Sequence, residues 1–129
     1  MFVQFCDEVR QEINGKYILI GCYGGSIITS HFPFATSLSA FLSLDPIDPG
    51  FEFSARYTLT SGGFLGEMSF RMEAFEPGPF QKISQVPLFP LRLQLSAPDT
   101  LILQVSINGS PYVEAGRLQI ALDIVRKQT

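Results

Sequence analysis

Apolar residues recur at every second position over much of the chain, the rhythm written by strands with one face buried and one face wet. Phe51, Phe53, Ala55, Tyr57 and Leu59 alternate with Glu52, Ser54, Arg56 and Thr58. Met68, Phe70, Met72 and Ala74 alternate in the same way with Ser69, Arg71 and Glu73, and Thr60 to Gly66, carrying Gly62-Gly63, joins the two segments as a hairpin. Leu38, Ala40, Leu42 and Leu44 form another such face, and Leu91, Leu93 and Leu95 one more. A strand from Leu101 to Ile107 meets Asn108-Gly109, a hairpin turn, and returns through Tyr112 and Val113. Near the end, Leu118, Ile120, Leu122 and Ile124 alternate with Arg117, Gln119 and Asp123, while Leu118, Ala121, Leu122 and Val125 also fit helical spacing. The β-branched residues and the strands around them favour a strand there.

At the other end, Asn14-Gly15 is the strongest kind of short-range hairpin signal. Read as a two-residue turn, it puts Cys6 opposite Tyr23 and Cys22 opposite Asp7. Val3, Phe5, Val9 and Ile13 then share a face with Ile18, Ile20 and Cys22, and Gln4, Glu8, Arg10 and Glu12 take the other. Phe2, Tyr17, Leu19 and Tyr23 fall on that polar face, which becomes more aromatic than contact with water alone requires. The face is either covered or a contact surface, and these four are the candidate interaction residues. Asp7 lands on the apolar face, so with Arg10 it is a candidate structural polar residue, expected to tie down a neighbouring loop. A direct Asp7–Arg10 pair would need a bulge between them. In this register the two thiols lie on opposite faces, out of disulfide reach.

Three stretches rich in chain breakers are expected to be loops: Asp45-Pro46-Ile47-Asp48-Pro49-Gly50, Glu76-Pro77-Gly78-Pro79, and Pro87 to Pro90. Eight or nine short strands with no helical segment between them imply an antiparallel β-sandwich, immunoglobulin-like or of a related Greek-key type, as one domain over residues 1–129. A parallel α/β fold is excluded because nothing supplies the crossovers. A chain of 129 residues, 46% hydrophobic, can build one core without disulfides or a structural metal. With twelve phenylalanines and no tryptophan, Phe, Leu and Ile must fill it.

Nine basic against twelve acidic residues give a net charge of -3 with no dense basic run, the wrong sign for tracking phosphates, so nucleic acid is not the expected partner. Asp7, Glu8, Arg10 and Glu12 stand where an export signal needs an unbroken apolar stretch. Every apolar run is shorter than the roughly 20 residues of a membrane helix. A cytoplasmic protein without a membrane partner is the expectation. Asn108-Gly109-Ser110 formally matches a glycan acceptor but reads as a turn.

The stretch Phe5-Cys6-Asp7-Glu8-Val9-Arg10, followed by Glu12, Asn14-Gly15-Lys16 and Leu19-Ile20-Gly21-Cys22-Tyr23, resembles the start of a family of small uncharacterised bacterial proteins. That family's pattern runs Cys-Asp-x-Val-Arg-x-Glu, then Gly-Lys, then a short apolar strand ending Gly-x-Tyr. The likeness is most specific over residues 5 to 24 and elsewhere is one of strand pattern only. It implies a cytoplasmic, sandwich-like β-domain with no established activity, and it transfers no catalytic residue.

Candidate chemistry is sparse. His31 is the only histidine, so an imidazole-based triad has one possible base and no neighbouring motif. One His and two Cys on opposite faces make no zinc set, and Asp45 with Asp48 would need further oxygens. Gly24-Gly25-Ser26 and Ser61-Gly62-Gly63 lack the following Lys-Ser/Thr or helix of a phosphate loop and read as turns or bulges. Arg56 and Arg71, interleaved with Glu52, Glu67 and Glu73, suit cross-strand pairs. The expectation is a protein that is not an enzyme and uses no cofactor or metal. It would be a protein-interaction or assembly module, engaging a protein partner or its own copy through sheet edges or the aromatic hairpin face. The alternative is a small-ligand-binding β-barrel with an aromatic-lined cavity.

Overall fold

The structure, a computed structural model, describes residues 1–73 and 82–123. Ala74, the Glu76–Pro79 breaker segment, Ile124 and Val125 lie outside the described residues. The alternating segments form β1 (Phe2–Gln11), β2 (Tyr17–Cys22), β3 (Ser26–Thr29), β4 (Phe34–Ile47), β5 (Phe51–Leu59), β6 (Phe64–Met72), β7 (Ile83–Leu95), β8 (Asp99–Ile107) and β9 (Val113–Leu122). They make a sandwich of two sheets, ordered β2-β1-β4-β7 and β3-β9-β8-β5-β6. The chain changes sheet after β2, β3, β4, β6 and β7, and a β1-β4-β7 layer facing β9-β8-β5-β6 is an immunoglobulin-like arrangement.

The predicted apolar faces meet between the sheets. Leu38, Ala40 and Leu42 of β4 pack with Phe53, Ala55 and Tyr57 of β5, Leu101, Leu103 and Val105 of β8, and Leu118 and Ile120 of β9, all at most 1% exposed. Burying each large side chain of this set is worth about 1.5–3 kcal/mol. The closing segment is a strand as far as Leu122, with Leu118 inside and Arg117 and Gln119 outside.

The structure corrects the sequence reading in three places. First, the sandwich is not wholly antiparallel, because β3 runs parallel to β9 from Ser26 beside Gln119 to Thr29 beside Leu122. Four residues are too few to show a rhythm, and only the burial of Ile27 against the exposure of Ile28 betrays this strand. Gly24-Gly25 carries the chain from one sheet to the other, with Gly25 at φ 113 and its carbonyl accepting from Gln119 N at 3.1 Å.

Second, Pro87 to Pro90 is no loop but the middle of β7, the edge strand of its sheet. An edge can seat residues that donate no N–H, and the register slips by one between Leu38 opposite Leu91 and Ala40 opposite Leu88. Likewise β4 runs on through Asp45 to Ile47 after a register shift, leaving only Asp48-Pro49-Gly50 to turn, with Gly50 at φ 90.

Third, the first hairpin closes one residue differently from the two-residue turn. Gly15 N donates to Glu12 O and Glu12 N to Lys16 O, making a three-residue loop with Gly15 at φ 85. The register becomes Gln11 with Tyr17, Arg10 with Ile18, Glu8 with Ile20 and Cys6 with Cys22. A one-residue slip exchanges the faces of an entire strand.

This hairpin also doubles back. Phe41 lies opposite Gln4, whereas Tyr17 lies opposite Gln11; along a straight β1 those points would be about 23 Å apart. Yet the Tyr17 and Phe41 rings meet edge to face with centroids 5.1 Å apart. The far half of the hairpin is therefore laid over the outer face of the first sheet. That cover explains why Cys6, Ser39 and Phe41 are 0%, 2% and 7% exposed although their neighbours Phe5 and Ala40 are the residues that point into the sandwich.

Candidate functional site

The doubled-back hairpin gathers the residues that the sequence singles out, but not as one patch. Tyr17 packs on Phe41, and Leu19, half-buried, lies opposite Val9. Tyr23 packs against the sandwich core, its N–H donating to Phe5 O at 2.8 Å and its carbonyl accepting from Gln4 Nε2 at 2.7 Å. Phe2 stands apart, 62% exposed and opposite Ser43. The single aromatic face of Phe2, Tyr17, Leu19 and Tyr23 depended on the two-residue turn and goes with it. What the hairpin leaves in solvent is Ile18 and Ile20, 42% and 39% exposed, with Ile13 fully exposed at the tip. Admitting a three-residue loop at Asn14-Gly15 is the one signal that would have exposed these isoleucines from sequence.

Asp7 marks the bend. It faces Gly21, whose φ of 67 permits the change of direction and whose missing side chain leaves room for the carboxylate. Asp7 Oδ1 accepts a hydrogen bond from Tyr23 Oη, so the residue ties one strand of the hairpin to the other. Desolvation first, then this bond and the Asp7 charge, push the Tyr23 hydroxyl up to about 12. Arg10 takes no part in the tie; its Nε is 3.1 Å from Glu8 Oε1, with both side chains more than half exposed. A pair so exposed contributes little to stability.

Between the hairpin and the sheet beneath it runs an open cleft of about 520 Å³, bordered by Asp7, Glu8, Val9 and Ile20 on one side and by Ser37, Ser39, Pro87 and Leu88 on the other. Its carboxylates are those already engaged by Tyr23 and Arg10.

The cysteines do not lie on opposite faces. Cys6 and Cys22 are direct cross-strand partners in the observed register, both as free thiols, Cys6 buried and Cys22 exposed. His31 follows β3, a strand of the other sheet, and its Nδ1 is 3.2 Å from Ser30 Oγ. Among the described residues no three His, Cys, Asp or Glu side chains converge as a metal set would.

On the outer face of the second sheet, Arg71 pairs with Glu73 at 2.7 Å and, across the strands, with Glu52 at 3.5 Å. Arg56 instead donates to Gln104 Oε1 at 2.7 Å and lies 4.0 Å over the Tyr112 ring, while its register partner Glu67 accepts from the Tyr112 hydroxyl. These contacts hold a mixed-charge face together.

Compared with known proteins, the sequence matches no family model, and no curated protein resembles it. No helix among the described residues is long and apolar enough to cross a membrane.

Proposed function

We propose that this protein is a non-enzymatic assembly module that associates with a second copy of itself through the open edge and solvent face of the first hairpin. The observation that carries this reading is β2, an edge strand without proline whose Ile18 and Ile20 are 42% and 39% exposed beside the fully exposed Ile13. Natural edge strands are ordinarily guarded by proline or charge, as β7 is by Pro87 and Pro90. An unguarded edge with apolar side chains offers main-chain hydrogen bonds and apolar contact together, the two ingredients of strand addition. A cytoplasmic location and independence of nucleic acid, membrane and cofactor belong to the same proposal.

The ligand-barrel alternative has less support. Phe53 and Tyr57, the two largest fully buried side chains among the described residues, are 0% and 1% exposed and belong to the packed core.

Sedimentation across a wide concentration range tests the reading. Wild type should self-associate as concentration rises, and the Ile18→Lys/Ile20→Lys double variant, folded by circular dichroism, should stay monomeric. A wild type that is monomeric throughout, or a variant that associates equally well, overturns it.

A further inference from the structure

The register of the first hairpin brings the chain's two cysteines together. Cys6 and Cys22 are Cα partners on antiparallel β1 and β2. Directly opposed residues have Cα atoms about 4.5–5.5 Å apart, inside the roughly 4.4–6.8 Å that a disulfide spans, and their side chains leave the sheet on the same side. The two thiols differ in access. Cys22 is exposed, whereas Cys6 is 0% exposed beneath the doubled-back hairpin.

We propose that Cys6 and Cys22 are a reversible thiol–disulfide site whose oxidant is a small-molecule disulfide, with Cys22 as the entry thiol and Cys6 as the resolving thiol. The Cys22 thiol loses its proton and its sulfur attacks one sulfur of the small disulfide. The S–S bond of the oxidant breaks, one small thiolate leaves and takes up that proton, and a mixed disulfide remains on Cys22. Cys6 then loses its proton and attacks Cys22 Sγ; the second small thiolate leaves and is protonated in turn. In sum, two protein thiols are oxidised to one disulfide while one small disulfide is reduced to two thiols.

Access assigns the order, since only Cys22 can meet an oxidant from solution. Burial first, and the neighbouring Cys22 next, raise the Cys6 thiol above its ordinary value, which makes it a poor first nucleophile but no obstacle to an attack within the hairpin. Both residues stand one position from the Asp7–Gly21 bend, so the bond would staple the root of the hairpin that lies over the first sheet. The site stands independently of the self-association proposed above, because it needs only one chain.

The test is incubation of the full native chain with oxidised glutathione, followed by intact mass, thiol titration and peptide mapping. The expected product is a monomer lighter by two hydrogens, with no titratable thiol, no retained glutathione and a peptide linking Cys6 to Cys22, reversed by dithiothreitol. Cys22→Ser should leave Cys6 unreacted in the native protein, and Cys6→Ser should halt as a glutathione adduct on Cys22. If Cys6→Ser does not fold, the linked peptide from wild type decides alone. A wild type that keeps both thiols, retains glutathione on Cys22 beside a free Cys6, or ends as a Cys22-linked dimer overturns the proposal.

Discussion

Gly21 stands directly over the Asp7 carboxylate, so that a methyl group at the glycine would overlap Asp7 Oδ2. Its φ of 67 lies in the left-handed region, which costs any other L-residue about 1–2 kcal/mol. Gly21→Ala is therefore expected to lose that amount and a steric penalty besides. In an Asp7→Ala background the steric part should shrink to the 3.1 Å approach of the residue 7 Cβ, leaving chiefly the backbone part. Urea denaturation of wild type, both single variants and the double variant measures the difference. Equal costs in both backgrounds would mean that the carboxylate is not the obstacle.

The same carboxylate holds the Tyr23 hydroxyl. Tyr23→Phe should cost about 1 kcal/mol, the usual net worth of one hydrogen bond, and the loss should depend on pH. A tyrosine in the unfolded chain ionises near pH 10, whereas desolvation, with help from Asp7, keeps the folded Tyr23 protonated up to about 12. Its folded pKa is raised, so its contribution is complete below pH ~10 and is lost as pH rises through the folded value. Burial moves Tyr57 in the same direction. Wild type should thus lose stability steeply above pH ~10, and Tyr23→Phe less steeply. Parallel stability–pH curves would contradict this account.

Two identical dipeptides show how far the sequence could be read. Asn108-Gly109 makes a two-residue turn, with φ of 54 and 73 and Ser110 N donating to Ile107 O at 3.1 Å, and the β8–β9 ladder resumes one residue out of that register with Val105 opposite Val113. Asn14-Gly15 makes no such turn: only Gly15 takes positive φ, while Asn14 Oδ1 accepts from Lys16 N at 3.1 Å and Ile13 joins the loop. The dipeptide announces a hairpin but not which residue the loop takes in besides, and that residue sets the register. The core segments were legible because Phe51, Phe53, Ala55 and Tyr57 alternate without interruption and are all buried. The candidate site was not, because its side chains change faces with a single-residue slip, and a strand folding back over its own sheet leaves no periodic trace.

Asp99 offers a prediction at the acid end. Thr60 Oγ1 donates to its Oδ1 at 2.8 Å, Ser61 Oγ to its Oδ2 at 2.5 Å, and Thr100 N to its Oδ1 at 2.7 Å, tying the β5–β6 loop to the start of β8. Desolvation works upward on this carboxyl, but the bonds from Ser61, Thr60 and Thr100 outweigh it and hold the carboxyl below its ordinary value. A depressed folded pKa gives stability that is present above the unfolded value, about 3.9, and is lost as pH falls through the folded one. Asp99→Asn should be the less stable protein near neutrality, with the gap to wild type closing as pH drops below about 4. Thermal melts over that range measure it, and a gap that widens instead would remove Asp99 from the explanation.

The contact between Tyr17 and Phe41 decides whether the hairpin rests on the sheet in solution. Phe41 is 7% exposed on a face that would be wet without that cover, so Phe41→Ala should cost about 3–5 kcal/mol, as a core phenylalanine does. The edge-to-face pairing should appear as a coupling of about 0.5–1.5 kcal/mol in a double-mutant cycle with Tyr17→Ala. Hydrogen exchange supplies the spatial test. In Tyr17→Ala the amides of the far half of the hairpin should lose protection while those of β5 and β8 keep theirs, since the sandwich core does not depend on this contact. Because the fold-back is what turns Ile18 and Ile20 outward on a held strand, the same variant should also associate more weakly without any change to the edge itself. Zero coupling with unchanged exchange would mean that the hairpin stands free of the sheet, and the apolar edge would then lose the rigid support that strand addition requires.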